Sequence, residues 1–188
     1  MKKREVKHAL SNVTLLLCIL ENLPIVDFLE EKHLNDFRKM KFINQGDIFE
    51  SSCEVIVNPI NCVGVMGGGL ALAFKKKFPK HFETYKKMCQ NGEIKVGELY
   101  VVDGDENHKV LLFPTKIHWK NPSLMEYVVD GLKYLAENYE KMDIKSIAIP
   151  AIGCGLGGLN WEDVKEQITS ILSELDNKIE IEIYEPFF

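Results

Sequence analysis

The chain carries the glycine-rich stretch VGVMGGG at residues 63–69 and a second one, IGCGLGG, at residues 152–158. Each stretch follows an apolar run and precedes a segment with helical spacing. Glycine lets backbone N–H groups approach phosphate oxygens closely, and a helix N-terminus behind each loop adds partial positive charge without any lysine. Two such loops at one edge of a sheet could hold a diphosphate between them. The pair therefore predicts a nucleotide-like ligand.

Strand-like and helix-like segments alternate from Lys41 onward. The spacing predicts strands near residues 42–44, 54–58, 97–102, 109–115, 146–150 and 178–184, and helices at 70–78, 79–90, 123–142 and 161–175. Pro79 is placed to begin a helix, and Ser123 and Asn160 are placed to cap two others. This alternation predicts an α/β protein with a mixed central sheet in a three-layer α/β/α sandwich. The ligand is expected at the carboxyl ends of the strands.

The first 40 residues differ from the rest. An apolar run at Val13–Leu20 follows a basic start, as in a signal peptide, but no small-residue cleavage site follows it. The run is also too short and interrupted to span a bilayer. We therefore expect a helical extension over residues 1–40, a single domain over residues 41–188, and no membrane association.

Composition and charge limit the possible ligands. The chain has 188 residues and a formal net charge of -5, so its overall field does not attract nucleic acid, and any polyanion must be held locally. Its five cysteines form no Cys-x-x-Cys pair and no Cys/His cluster at metal-ligand spacing. These features predict a cytoplasmic protein with reduced cysteines, a monomer that holds neither metal nor cofactor.

The second glycine stretch also matches the dinucleotide pattern G-x-G-x-x-G through Gly153, Gly155 and Gly158. Only one helix and one strand follow it, whereas a dinucleotide-binding fold requires further βα units and an acidic residue about 20 positions on. A tight turn without a ligand is the simpler alternative. The pattern favours a different phosphate-binding architecture over a Rossmann fold.

Four separated motifs carry a family resemblance. In chain order they are NQGDI at 44–48, NPINC at 58–62, GGG at 67–69 and GCGL at 153–156. In this order they resemble the macrodomain family, which binds ADP-ribose, and the resemblance runs from Lys41 to about Pro186. A more specific set resembles the family's DNA ADP-ribosyl glycohydrolase antitoxins, which undo thymidine modification by a partner toxin; it comprises NCVGVMG at 61–67, FPTK at 113–116 and HW at 118–119.

The resemblance implies a set of ADP-ribose contacts. Asp47 would accept a hydrogen bond from the exocyclic amine of adenine beside the Ile48 backbone, and Asn61 would face the distal ribose. The remaining contacts would enclose the diphosphate and distal ribose from two sides, with Val65, Met66 and Gly67 on one and Gly153, Cys154, Gly155 and Leu156 on the other. Taken alone, Asp47 reads more simply as a cap residue, and Asn61 as an Asx turn that ends a strand.

Lys116 is the catalytic residue that the resemblance implies. By sequence alone it is an ordinary solvated strand terminus, but a partly desolvated lysine can attack an opened ribose aldehyde or orient the leaving base. Some relatives carry an aspartate where this chain has Gly157, so a water-mediated or substrate-assisted route stands beside a covalent lysine adduct. Cys62 and Cys154 are interpreted as packing residues, because no neighbouring histidine is evident.

The segment after Lys116 interleaves basic residues with an indole. Trp119 is a candidate for stacking on a DNA base, Lys120 for a phosphate contact, and His118 for an acid or a phosphate contact. The alternative is a surface loop with Trp119 buried as an anchor. The lysines at positions 75, 76, 77, 80, 86 and 87 either extend a basic track or form a solvated helix face.

The resemblance implies an ADP-ribosyl glycohydrolase that removes ADP-ribose from thymidine in single-stranded DNA. Its partner would be a cognate ADP-ribosyltransferase toxin. Two alternatives stay open. One is a hydrolase of small ADP-ribose derivatives, such as the 1''-phosphate or an acyl or protein ester, and the other is an ADP-ribose-binding module without catalysis. The binding module is favoured if Lys116 points away from the glycine loops.

Overall fold

The computed structural model describes residues 40–186. The helical extension predicted over residues 1–40 lies outside the described residues, apart from Met40, which begins the first strand. The elements in chain order are β1 Met40–Ile43, β2 Val55–Asn61, α1 Gly69–Lys77, α2 Pro79–Gln90, β3 Tyr100–Asp103, β4 Lys109–Lys116, α3 Met125–Asn138, β5 Ser146–Pro150, α4 Trp161–Leu172 and β6 Glu180–Tyr184. Two short 3-10 turns lie at Ile48–Glu50 and Ser173–Leu175. Within residues 40–186, no helix has the length and apolar character needed to cross a membrane.

The strands form one mixed sheet in the order β1-β6-β5-β2-β4-β3. Strand β3 is antiparallel to β4, and every other pair of neighbours is parallel, so five strands present their carboxyl ends at one edge. The chain order diverges between β2 and β5, which is where open α/β sheets bind their ligands. Pairing at this boundary covers only Val55–Ile56 against Ile147–Ala148.

Alternate strand residues enter two separate cores, as the period-two geometry of a strand requires. Val55 and Val57 of β2 face one core, which also contains buried residues of α3 and α4. Ile56 faces the other core, together with Phe74 of α1 and Tyr85 of α2. Helices therefore cover both faces of the sheet, and the predicted three-layer α/β/α architecture is confirmed.

One predicted helix start is wrong. The N-cap of α3 is Leu124, which makes no side-chain hydrogen bond, and the helix ends at Asn138 rather than near Met142. Ser123 instead donates its backbone N–H to the carbonyl oxygen of Gly157 over 2.9 Å. The residue that was expected to cap a helix thus ties the helix start to the second glycine-rich stretch.

Candidate functional site

The first glycine loop, residues 62–68, follows β2 and leads directly into α1. The buried Asn61 side chain fixes its shape: Oδ1 accepts from the backbone N–H groups of Val63 (3.1 Å) and Val65 (3.3 Å), and Nδ2 donates to the Val65 carbonyl oxygen (2.6 Å). The Asx-turn alternative is therefore present in the structure. Among the described residues Nδ2 makes this one bond, and an amide nitrogen has two hydrogens, so one is available to a ligand.

Tyr85 of α2 supports this loop from behind. Its buried hydroxyl lies 2.8 Å from the Asn61 carbonyl oxygen and 3.0 Å from Asn61 Oδ1, and donates its hydrogen to these acceptors. Met66 is also buried, so only its backbone is placed to face a ligand, whereas Val65 and Gly67 are exposed. The loop is therefore held from the protein side and open on the other.

Within residues 40–186, no side chain caps the start of helix α1, so its first backbone donors are free. Its N-cap is Gly68, which offers no side-chain hydrogen bond, and its first turn has no acidic residue. Such a helix start attracts oxyanions because its N–H groups lack partners. Helix α4, after the second loop, is instead capped by the Asn160 side chain and carries Glu162 and Asp163 in its first turn. A helix N-terminus therefore follows each loop, as expected, but the second one is capped by a side chain and carries two acidic residues in its first turn.

The second glycine loop, residues 151–158, is a series of tight turns after β5. Gly153 and Gly158 have φ values of 75° and 82°, in the left-handed region that favours glycine. A Cβ atom at Gly157 would overlap the Gly153 carbonyl oxygen and the Ser123 hydroxyl, whereas one at Gly155 would meet open space. An aspartate does not fit at position 157 unless the loop moves.

Leu156 joins the two loops. Its side chain is 77% exposed, and its Cδ1 would lie 2.9 Å from a Cβ atom on Gly68 and 3.5 Å from one on Gly69. The glycines at the end of the first loop thus leave the space that the Leu156 side chain occupies. The two loops face each other across the switch point of the sheet, as the sequence predicted.

Lys116 reaches into this junction from β4. The register between β2 and β4 shifts at Ile60/Asn61, so that Asn61 pairs with Lys116, and such bulges re-aim side chains at the ends of strands. The Lys116 Nζ atom donates to the Leu156 carbonyl oxygen over 2.9 Å. Partial burial lowers the pKa of Lys116, because desolvation disfavours the ammonium form. The lysine points toward the loops, not away from them.

Asp47 precedes the 3-10 turn Ile48–Glu50. Its Oδ1 accepts from the Phe49 backbone N–H over 3.0 Å, so the cap role is present. The side chain is exposed, and within residues 40–186 its Oδ2 has no hydrogen-bond partner, which leaves an acceptor for a ligand amine. Ile48 beside it is buried.

Sequence reasoning missed the support of this turn. Ser51 ends the turn and donates its hydroxyl to the buried Glu182 carboxylate of β6 over 2.6 Å, while the Tyr184 hydroxyl donates to the same carboxylate oxygen over 3.1 Å. The available signal was weak, because Glu182 and Glu180 both lie between isoleucines in the same strand and only Glu182 is buried. A buried carboxylate requires such partners.

The thiols are not activated. Burial raises the pKa of Cys62 and of Cys154 to about 11, so both stay protonated near neutral pH, in agreement with a packing role. Within residues 40–186 the four cysteines are free, and no group of three or more His, Cys, Asp or Glu side chains is arranged to hold a metal ion.

Trp119 is half exposed, so the alternative of a buried anchor is wrong. Its ring stacks on that of His118 at a centroid distance of 5.6 Å, and Lys120 Nζ lies 5.2 Å from the indole centroid. The three candidate DNA-contact residues are therefore in mutual contact, directly after Lys116.

The fold and the paired loops define a macrodomain. The Macro domain family model matches residues 57–168, and the chain belongs to this family. A DNA ADP-ribosyl glycohydrolase of Thermus aquaticus is 41% identical over 150 residues, which are 78% of this chain and 41% of that protein. The chain thus spans less than half the length of this curated relative.

Solved structures agree with this assignment. The macrodomain of Mycobacterium tuberculosis DarG has a TM-score of 0.75 and 38% identity, covering 79% of this chain and 98% of that one. Thermosipho africanus DarTG in complex with ADP-ribose has a TM-score of 0.73 and 36% identity, covering 79% of this chain and 42% of that one.

Proposed function

We propose that this chain is an ADP-ribosyl glycohydrolase that binds ADP-ribose between its two glycine loops and releases it from a modified base in DNA. Asp47 and Ile48 would receive the adenine. The start of α1, with Val65, Met66, Gly67 and the backbone from Gly153 to Leu156, would enclose the diphosphate and the distal ribose. The proposal follows the activity by which the Thermus aquaticus relative is named. It also implies that the chain counters a transferase that modifies the same base.

The observation that carries the catalytic part is the position of Lys116. Its amine lies 2.9 Å from the Leu156 carbonyl oxygen of the second glycine loop, beside which the distal ribose would sit. In the net reaction water adds to the anomeric carbon, the bond from that carbon to the base breaks, and the base takes up a proton. Lys116 would act at this carbon, either by attack on the opened sugar or by orienting the leaving base.

The glycine at position 157 bears on the route. Gly157 has no space for an acidic side chain, so a loop carboxylate at this position cannot resolve a lysine adduct. Direct attack by water on the anomeric carbon therefore requires fewer catalytic groups than the formation and resolution of a lysine adduct. The covalent route would leave a Schiff base that borohydride reduces to a stable secondary amine.

The decisive experiment is the substitution Lys116→Ala. It should lower the release of ADP-ribose from an ADP-ribosylated single-stranded oligonucleotide by at least a hundredfold, within the range for loss of a catalytic group. The dissociation constant for free ADP-ribose, measured by calorimetry, should change only a few-fold. Lys109→Ala is the matched control, because Lys109 is exposed at the opposite end of the same strand. Retained turnover in the Lys116 variant would overturn the mechanism.

The same assay separates the alternatives. Turnover of ADP-ribose 1''-phosphate or acetyl-ADP-ribose, with modified DNA left intact, would identify a hydrolase of small derivatives. Binding of ADP-ribose without turnover of any of these substrates would identify a binding module. Failure to bind ADP-ribose at all would contradict the whole proposal.

A further inference from the structure

The segment after Lys116 forms an ordered platform for the exposed indole. The Cys62 backbone N–H donates to the Ile117 carbonyl oxygen over 3.0 Å, which joins the segment to the first glycine loop. The Asn121 N–H donates to the His118 carbonyl oxygen over 3.0 Å and closes a turn. Trp119 is thus held half exposed at a fixed position beside the catalytic lysine, and Ile117 next to it is 51% exposed.

Lys86 lies next to the first glycine loop, at Gly64. A Cβ atom built on Gly64 would lie 3.7 Å from both Cα and Cγ of Lys86, so this exposed lysine packs directly against the loop backbone. Its neighbour Tyr85 fixes α2 to the loop through the hydrogen bonds to Asn61. The backbone at Lys86 is therefore held beside the first glycine loop, whereas Lys80 lies at the other end of α2.

We infer that the first glycine loop is crossed by a single strand of DNA, with a base next to the modified one stacked on Trp119 and backbone phosphates near Lys120 and Lys86. This inference rests on the proposed function and names the surface that receives its substrate. His118 stacks on the half-exposed indole, so a base would stack on the open part of the ring, and Lys120 Nζ, 5.2 Å from the indole centroid, would turn from the ring to a phosphate. Stacking on an indole suits any base, because every base has a π-face. In a chain with a net charge of -5, exposed lysines beside the site supply the local attraction that the whole molecule lacks.

The test compares two substrates that share the scissile bond. One is an ADP-ribosylated 12-nucleotide single strand, and the other is the ADP-ribosylated mononucleoside, which has no flanking base or DNA phosphate. Trp119→Ala should raise KM for the oligonucleotide by about fivefold or more, the loss expected for one base stack. It should leave kinetic constants for the mononucleoside within about twofold.

The charge contacts have a separate measurement. Lys86→Glu combined with Lys120→Glu should weaken binding of an unmodified fluorescent 12-nucleotide strand and reduce the slope of log affinity against log salt by about 0.7 per lost phosphate contact. Lys76→Glu combined with Lys80→Glu is the matched control. It makes the same change in charge on exposed helix residues where α1 ends and α2 begins.

The outcomes separate this inference from the proposed function. Normal turnover of both substrates by all variants would overturn the inference and keep the function. Equal loss on the mononucleoside and the oligonucleotide would also overturn it, because the residues would then act on ADP-ribose itself. If the control pair had an equal effect on DNA binding, the attraction would come from the general charge of the protein, and the roles of Lys86 and Lys120 would be overturned. If no modified DNA is turned over but the unmodified strand binds in a Trp119- and Lys86-dependent manner, the surface stands and the function fails.

Discussion

At the scale of single residues, the site depends on where side chains are absent as much as on where they are present. Gly157 illustrates this, because the Ser123 hydroxyl and the Gly153 carbonyl oxygen occupy the space of a Cβ atom. Ser123 in turn donates its backbone N–H to the Gly157 carbonyl oxygen. The tight approach of these two segments shapes the second glycine loop and leaves no room for an acidic side chain at position 157.

Gly157→Ala should destabilise the protein by about 1 to 3 kcal/mol, as expected when a methyl group is forced against backbone. It should also weaken ADP-ribose binding, since the Gly153 to Leu156 backbone must shift. Thermal unfolding and calorimetry measure the two effects. Gly155→Ala is the control for the stability measurement alone, because a Cβ atom there meets nothing within 4 Å and the residue has no positive φ, whereas the same residue is a proposed ADP-ribose contact. Equal stability of the two variants would show that the loop adapts freely.

At the scale of elements, helix starts could be predicted from the sequence where a residue at the start itself determines them. Pro79 begins α2 and Asn160 caps α4, as read from the sequence. Ser123 failed as a cap because the helix starts one residue later, with Leu124 as its N-cap, while the Ser123 backbone is bound to Gly157, far along the chain. The same limit applies to the site: the glycine loops and Lys116 were readable as motifs, but the bond from Lys116 to the Leu156 carbonyl depends on a strand register that no local pattern contains.

The 3-10 turn that begins after Asp47 depends on the hydrogen bond between Ser51 and Glu182. Ser51→Ala removes the hydroxyl that donates to Glu182 and accepts from the Cys53 N–H (3.1 Å), leaving a buried carboxylate with Tyr184 as its remaining donor. We expect a stability loss of about 1 to 3 kcal/mol. Because the turn would receive adenine, we also expect reduced discrimination between ADP-ribose and its hypoxanthine analogue, measured by calorimetry.

Ser173→Ala provides the matched control for this turn. Ser173 begins the other 3-10 turn, is exposed, and donates its hydroxyl to the Ser170 carbonyl oxygen over 2.8 Å. Its replacement should change neither quantity appreciably, because water can satisfy the exposed carbonyl. Unchanged discrimination in the Ser51 variant would show that the Glu182 contact does not position the adenine-binding turn.

At the scale of the whole molecule, the stability of the fold depends on a buried neutral histidine. His81 is 1% exposed, with Nε2 3.2 Å from Asn58 Nδ2 and Nδ1 3.3 Å from the Phe78 carbonyl oxygen. The tautomer with hydrogen on Nδ1 satisfies both contacts, since Nε2 then accepts from the asparagine amide. Desolvation lowers the pKa of His81 from 6.5 to about 4, because the interior disfavours the imidazolium.

This shift has a defined sign. Below pH 6.5 the unfolded chain binds a proton at His81 that the folded chain refuses, so the free energy of unfolding falls as the pH is lowered toward about 4. The loss from this residue is about 3 kcal/mol across that range. Chemical denaturation at pH 7.0 and pH 4.5 measures it. His81→Gln should be less stable than wild type at pH 7.0 but should show a smaller decrease between the two pH values.

Carboxylates throughout the protein also take up protons in this pH range and contribute equally to wild type and to His81→Gln. The contribution of His81 is therefore the difference between the two proteins in how far the free energy of unfolding falls. His118→Gln is the control, since its ring is stacked on the half-exposed Trp119 near the surface. It should reproduce the wild-type decrease. If His81→Gln loses as much stability as wild type on acidification, the histidine is protonated inside the folded protein, and the neutral hydrogen-bonding pattern with Asn58 is wrong.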